Sequence, residues 1–281
     1  MSINWFPGHM AKTRRQIKED LKLVDAVIEI RDARIVKSST NPDIDELCKD
    51  KPRIILLNKS DLAEENITRE WIKKLSKDFI KVASVNSLDG KGLSNIKNLV
   101  NELLKEKHDR LRNKGIVNIT TRAMVVGIPN VGKSSFINRM AKNSRAKVGD
   151  KPGVTRSSQW IKTNLGIELL DTPGVLWPKF EDEEVGLNLA FTGAIKDEIM
   201  DIETLALRLI ERLQKYYPNQ LMQRYKLASL SEDSLENMDD IGRKRGAVIS
   251  GGNIDYNRIS VLILDEFRGG KLGSISLERP W

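Results

Sequence analysis

Gly127-Ile128-Pro129-Asn130-Val131-Gly132-Lys133-Ser134 brackets a four-residue stretch between two glycines and closes on a lysine and a hydroxyl. Backbone N–H groups of such a loop, where it opens a helix, point at a phosphate chain. Gly132 lets that backbone come close, Lys133 brings positive charge to the β- and γ-phosphates, and the Ser134 hydroxyl is of the type that ligates Mg²⁺. Asn130, Val131 and Ser135 complete the stretch expected to face the ligand. A second string, Asn58-Lys59-Ser60-Asp61, suits one base. The Asp61 carboxylate can accept two hydrogen bonds from guanine N1 and N2, where adenine offers no such donors. A polar site built this way rejects the wrong base because its own groups are left unpaired. Lys59 is expected along the base plane, with Asn58 bracing the loop. GTP and GDP are therefore the expected ligands, with Mg²⁺.

Further residues fit the same chemistry. Asp171-Thr172-Pro173-Gly174 follows an apolar run, which suits Asp171 to the outer shell of Mg²⁺ and the Gly174 amide to the γ-phosphate. Thr155, in Pro152-Gly153-Val154-Thr155, is the candidate for a threonine that closes on Mg²⁺ and the γ-phosphate. Ser84-Val85-Asn86-Ser87 stands where a backbone loop would meet guanine O6. Many GTPases carry a glutamine after Asp-x-x-Gly to position the attacking water; here Val175 stands in that place and cannot hydrogen-bond water, so a slow intrinsic rate is expected. In an ordinary GTPase the phosphate loop precedes the base-reading string. Here it follows, which implies a circularly permuted domain.

These motifs need elements to hold them. Val24–Ile30, Arg53–Leu57, Ile80–Ala83, Arg122–Val126 and Ile167–Leu170 read as strands, and each ends where a motif or a loop begins. Helical spacing is read over residues 11–22, 66–78, 93–107 and 134–141. Strands alternating with helices imply an α/β fold, an open and mostly parallel sheet with helices on both faces, whose ligand lies beyond the carboxyl ends of the strands. Helical patterns at 204–217, stopped by Pro218, and at 255–267 imply a small all-α region. The expected division is a permuted GTPase domain over 1–180 and a helical domain over 181–281.

Composition narrows the classes. In 281 residues with a net charge of +8, residues 1–183 carry a balance of +10 and residues 184–281 a balance of −2. The stretch from Lys105 to Lys162 holds 14 basic residues against Glu106, Asp109 and Asp150. Such an excess suits a polyanionic partner or a solvated surface. A single cysteine, Cys48, excludes an internal disulfide, and two histidines exclude a Cys/His zinc cluster. No apolar run reaches the ~20 residues that span a membrane, and Met1–Pro7 lacks a signal-peptide layout. A cytoplasmic, membrane-free monomer is expected.

With its motifs in this order, the sequence resembles the circularly permuted ribosome-assembly GTPases of the YlqF/YawG family. The resemblance covers nearly the whole chain, including Trp5-Phe6-Pro7-Gly8-His9-Met10, Asp32-Ala33-Arg34, Ser39 to Pro42 and Ile241-Gly242-Arg243-Lys244-Arg245-Gly246. Ile35-Val36-Lys37 departs from it, replacing a proline-containing segment. The resemblance implies a factor that binds a late precursor of the large ribosomal subunit and hydrolyses GTP on leaving, with the helical domain on ribosomal RNA. Arg243, Lys244, Arg245 and Arg258 are the RNA-contact candidates. It also implies His9 as the group that orients or deprotonates water, and a potassium ion against the phosphates beside Asn130. Two rival readings stay open: a signalling or tRNA-modification GTPase with a protein partner, and a nucleotide-gated scaffold that barely turns GTP over.

Overall fold

Strands buried on both faces of a parallel sheet are continuous apolar runs. The computed structural model describes residues 7–141, 159–174, 176, 182–197 and 200–280, with side chains from Arg14 onward. Its strands are β1 (Ala26–Asp32), β2 (Arg53–Asn58), β3 (Ile80–Ser84), β4 (Thr121–Val126), β5 (Gln159–Lys162) and β6 (Ile167–Asp171). They form one sheet in the order β3-β2-β1-β4-β6-β5, parallel except for the edge strand β5. Every residue of β1 and β2 is buried. Glu29 is tolerated inside β1 because Arg31 Nε donates to it at 2.7 Å and Arg53 Nη1 at 3.1 Å. A buried carboxylate survives only when it is paired in this way.

Helices cover both faces. On one, Ile17 and Leu21 from α1 (Pro7–Asp20) and the turn after it join Ile44 of α2 (Pro42–Leu47) and Cys48 over Val27, Met124, Val126 and Leu170. On the other, Ile67 and Trp71 of α3 (Glu65–Leu75) pack with Ile55, Leu57 and Val82. α2 is short and is started by Asn41, whose side chain accepts the Asp43 N–H at 3.0 Å. The stretch expected as one helix over 93–107 is two, α4 (Ile96–Leu103) and α5 (Lys105–Asn113), with the break at Leu104. α6 (Lys133–Met140) follows the phosphate loop.

The chain divides into two compact units. One holds the chain up to Gly186 together with a returning segment from Ser276; the other is Leu187–Ile275. α7 (Glu183–Phe191) leads into the second unit, which contains α8 (Ile202–Tyr216), α9 (Pro218–Tyr225), α10 (Ser234–Arg245) and α11 (Tyr256–Arg268). The stripe Leu205, Leu209, Ile210 and Leu213 of α8 is buried, as are Ile259, Ile263, Leu264 and Phe267 of α11, and these two helices pack together. Among the described residues no helix is long and apolar enough to cross a membrane.

Cys48 is fully buried, and that burial pushes its thiol up to about 12. Since the thiolate is the reactive form, a disulfide exchange reagent at pH 8 is expected to label the native chain at least about 100-fold more slowly than the chain unfolded in guanidinium. Equal rates would show that Cys48 is accessible.

Candidate guanine-nucleotide site

Chain direction across the sheet locates a crevice before any side chain is considered. From β1 the chain steps outward to β2 and β3, returns to β4 beside β1, and then builds β6 and β5 on the other side. Ligands of open α/β sheets lie outside the carboxyl ends of the strands where the order reverses, which here is between β1 and β4. The register brings the motifs to that edge: Asp32 stands opposite Asn58, Leu57 opposite Ser84, and Val125 opposite Asp171.

The phosphate loop is built around close approaches. Gly132 sits at φ 97, and a Cβ there would run into Asn58 Nδ2, so any other residue would be strained and would have to displace Asn58. A Cβ on Gly174 would lie 2.7 Å from Lys133 Nζ and 3.0 Å from Pro129, which places the Asp171–Gly174 segment against the loop. Asn130 takes φ 59, a conformation asparagine tolerates better than most residues. α6 starts at Lys133 with no side-chain cap, and the first N–H groups of a helix have no partner within it. The Phe136 N–H bonds Gly132 O at 2.9 Å, which leaves the amides of Lys133, Ser134 and Ser135 at the mouth of the loop, where an anion is favoured.

Asn58 joins three segments. Its Nδ2 donates to the Val131 carbonyl at 2.7 Å, and its Oδ1 accepts from the Ser87 N–H at 3.0 Å and the Ser87 hydroxyl at 2.9 Å. The end of β2, the phosphate loop and the loop after β3 are thereby fixed to one buried amide. Within Ser84–Ser87 the residues differ in what they do. Ser84 closes β3, and Val85 continues its ladder, donating to Leu57 O at 2.9 Å and accepting from the Ser60 N–H at 3.2 Å. Asn86 folds the next turn by accepting from the Leu88 N–H at 2.9 Å. Ser87 is the one that meets Asn58.

Lys59 adopts φ 57, costly for a lysine by about 1–3 kcal/mol. Its ammonium lies 3.1 Å from Asp32 Oδ2. Asp32 is buried and also takes Arg34 Nε at 2.9 Å and Nη2 at 2.8 Å. Burial alone would raise the carboxyl, but Arg34 and Lys59 outweigh it and hold Asp32 well below the usual carboxylate range. Asp61 is exposed at the open side of this loop. Sequence reading placed Asp32-Ala33-Arg34 only by resemblance. That Arg34 is 1% exposed and grips Asp32 has no sequence signal, because a buried arginine and a surface one look alike.

Lys133 Nζ is turned onto its own loop, donating to Ile128 O at 2.9 Å and Gly127 O at 3.1 Å. Burial lowers its pKa to about 8, with the nearby Asp171 charge opposing the shift. Asp171 is fully buried at the end of β6. A buried cation over a Gly-rich turn, next to an uncapped helix start, matches the needs of a polyphosphate. A buried carboxylate close enough to act on the Lys133 charge matches the needs of a divalent ion.

Other expected residues fall differently. Thr155 and Val175 lie outside the described residues, and His9 lies in α1 by its backbone alone. In the second unit Arg243 is exposed, with Asp240 at 3.1 Å, and Lys244 and Arg258 are also exposed. Arg245 differs from its neighbours in having partners inside the unit as well as a solvent-facing part. It is half-buried, 3.5 Å from Glu266 and stacked over Tyr225 at 5.1 Å, because Glu266 needs Arg224 and Arg245 to be buried at all.

The family described as 50S ribosome-binding GTPase matches residues 122–233, starting one residue into β4 and leaving Asn58–Asp61 outside. Ribosome biogenesis GTPase A of Bacillus pumilus is 49% identical over 280 residues, covering 100% of this chain and 99% of its own. That of Bacillus cereus is 50% identical over 280 residues, covering 100% of this chain and 95% of its own. Among solved structures, GNP-bound YlqF from T. maritima superposes with a TM-score of 0.68 at 29% identity, over 96% of this chain and 98% of that one.

Proposed function

The chain belongs to the ribosome biogenesis GTPase A family and is a GTPase of ribosome assembly; from that premise we propose that it binds a late precursor of the large ribosomal subunit and uses GTP hydrolysis to time its departure. The observation that carries the nucleotide part is Asn58, whose one amide ties the base-reading string to the phosphate loop although the two lie in reversed order along the chain.

In this reading the Lys133 ammonium leaves the Gly127 and Ile128 carbonyls for the β- and γ-phosphates, and the amides of Lys133, Ser134 and Ser135 hold the phosphate oxygens. Asp61 pairs with the guanine edge and Lys59 lies along its face. Ser134, Thr155 and Asp171 are the residues that would hold Mg²⁺, which supplies charge neutralisation when bound. The Gly174 amide faces the γ-phosphate. Water attacks γ-phosphorus, the bond to the β–γ bridging oxygen breaks, and GDP and phosphate leave. Val175 cannot orient that water, so His9 is assigned to orient it or take its proton, and Asn130 to the neighbourhood of a potassium ion. The second unit meets ribosomal RNA through Arg243, Lys244, Arg245 and Arg258, in the cytoplasm and as a monomer.

GTP turnover tests the reading, measured in potassium buffer for the chain alone, with small subunits and with large subunits. Large subunits alone are expected to stimulate it by at least about tenfold. His9→Ala is expected to lose the stimulation at unchanged GTP affinity, and sodium in place of potassium to lower it. Stimulation by neither subunit, with tight GTP binding, would instead favour a signalling or tRNA-modification GTPase with a protein activator.

A further inference from the structure

Residues 276–280 return to the first unit and dock on both segments that flank the base-reading string. Before that string lies the turn from Asp32 to Ser39. It is bonded to itself: the Ile35 N–H donates to Asp32 O at 3.1 Å, the Ser39 N–H to Ile35 O at 2.8 Å, and the Asp32 N–H to Ser39 Oγ at 3.2 Å. Inside it Ile35 and Val36 are fully buried. Its outer side is closed by the returning segment. The Leu277 N–H donates to Arg34 O at 2.9 Å, and the Glu278 carboxylate accepts from the Lys37 N–H at 2.6 Å and the Ser38 N–H at 3.0 Å, with the Ser38 hydroxyl a further donor.

After the string lies Glu64, at the position just before α3, and its N–H donates to Ser276 Oγ at 3.0 Å. Trp71 Nε1 on α3 reaches the Glu278 carbonyl at 3.4 Å, and Lys74 donates to the Pro280 carbonyl. Ser276 and Leu277 are buried in these contacts. Nothing in the nucleotide chemistry described above uses this segment, yet its bonds end on Arg34 and on the turn that holds Asp32. Asp32 in turn holds the Lys59 ammonium.

We propose that Ser276–Pro280 is a positioning element of the guanine site: Glu278 fixes the 32–39 turn, the turn fixes Asp32 and Arg34, and Asp32 holds Lys59 where its stem lies along the base. The inference rests on Lys59 being the base-side lysine. Glu278 and Asp32 are positioning residues, since neither touches nucleotide in this arrangement. A lysine at φ 57 with a long flexible stem has many alternative placements, and a fixed carboxylate 3.1 Å from its ammonium restricts them. Preorganisation of this kind shows as affinity.

The test is a double-variant cycle on the full chain, reading GDP affinity by calorimetry and folding by thermal unfolding. Glu278→Ala is expected to weaken GDP binding about fivefold, and Lys59→Met more strongly. In the Lys59→Met background, Glu278→Ala is expected to cost nothing further, because its effect passes through Lys59. A Glu278→Ala chain that binds GDP as the parent does would overturn the proposal, and so would a loss that persists unchanged beside Lys59→Met. If Glu278→Ala does not fold, Glu278→Gln, which keeps the side chain's size but gives up one carboxylate oxygen as acceptor for the Lys37 and Ser38 N–H groups, runs the same cycle with the same two outcomes. Lys59→Met with undiminished GDP binding would sink the assignment of Lys59 itself, whatever Glu278 does.

Discussion

Asn58→Ala is expected to lower GDP affinity by at least about 100-fold, the largest loss for any single residue that does not itself bear charge toward the ligand. The reason lies in what the amide leaves behind. Val131 O, the Ser87 N–H and the Ser87 hydroxyl each lose a buried partner, and an unmet buried polar group costs about 1–3 kcal/mol. Some of that falls on stability, since β2 and the loop after β3 are joined there. The rest falls on the ligand, because the loop carrying Gly132 packs directly on Asn58. Losing about 3 kcal/mol of preorganisation corresponds to roughly a 100-fold change in affinity. Asn58→Asp keeps an acceptor for Ser87 but sets an oxygen against the Val131 carbonyl, so it is expected to fare no better. Ser60→Ala, with a half-buried side chain in the same string, is the control and should bind within about twofold of the parent. A loss below tenfold for Asn58→Ala, measured by calorimetry, would mean the two loops hold their places without it.

Which parts of this were legible in the sequence follows from how local their causes are. β1, β2 and β4 are apolar because both faces of a parallel sheet are covered, so their residue types alone announce them. Strand β5 was invisible: four residues, Gln159-Trp160-Ile161-Lys162, give too little alternation, and it exists because β6 offers it an antiparallel partner. Half of the six residues of α2 are acidic, and they form a helix because Asn41 caps them and Ile44 finds a core to enter. Pro218 reads correctly as the stop of α8, but the same residue has the right φ to begin a helix, and α9 starts on it. α10 carries Asn237 and Gly242 on its buried side, which blurs any apolar stripe.

The site divides along the same line. Residue types at fixed spacing announced the phosphate loop and the base-reading string, because backbone amides, one lysine and one carboxylate are what phosphate and guanine require. Contacts made across the sheet were silent. Arg34 at the centre of the fold, Arg245 turned inward to Glu266, and Glu278 on the Lys37 and Ser38 amides are all charged residues whose sequence neighbours say nothing about their partners. The link from Glu278 to Lys37 spans 241 positions, and no periodicity carries information over that distance.

Lys133→Met is expected to move stability and ligand affinity in opposite directions. At neutral pH the folded chain holds a charged amine in a buried place, and burial lowers that amine from its ordinary 10.5 to about 8. A shift of that size corresponds to about 3 kcal/mol between the two protonation states. The unfolded chain binds the proton more tightly, so the penalty is full below about pH 8 and is relieved as pH rises from there toward 10.5. Methionine removes the charge and fills a similar volume. It also gives up the hydrogen bonds to the Gly127 and Ile128 carbonyls, leaving a net gain of about 1–2 kcal/mol at pH 7. The same substitution deprives the phosphates of their buried cation, for a loss of about 1000-fold in GDP affinity. Binding an anion must restore the proton, so above pH 8 the parent chain is expected to take up a proton on binding GDP and to lose affinity by up to about tenfold per pH unit. Calorimetry at pH 8.5 in two buffers of different ionisation heat reads that uptake directly. A Lys133→Met chain that melts below the parent, or a parent that binds GDP at pH 8.5 with no proton uptake, would show that burial does not penalise the charged lysine. Its strain would then not be what the phosphates relieve.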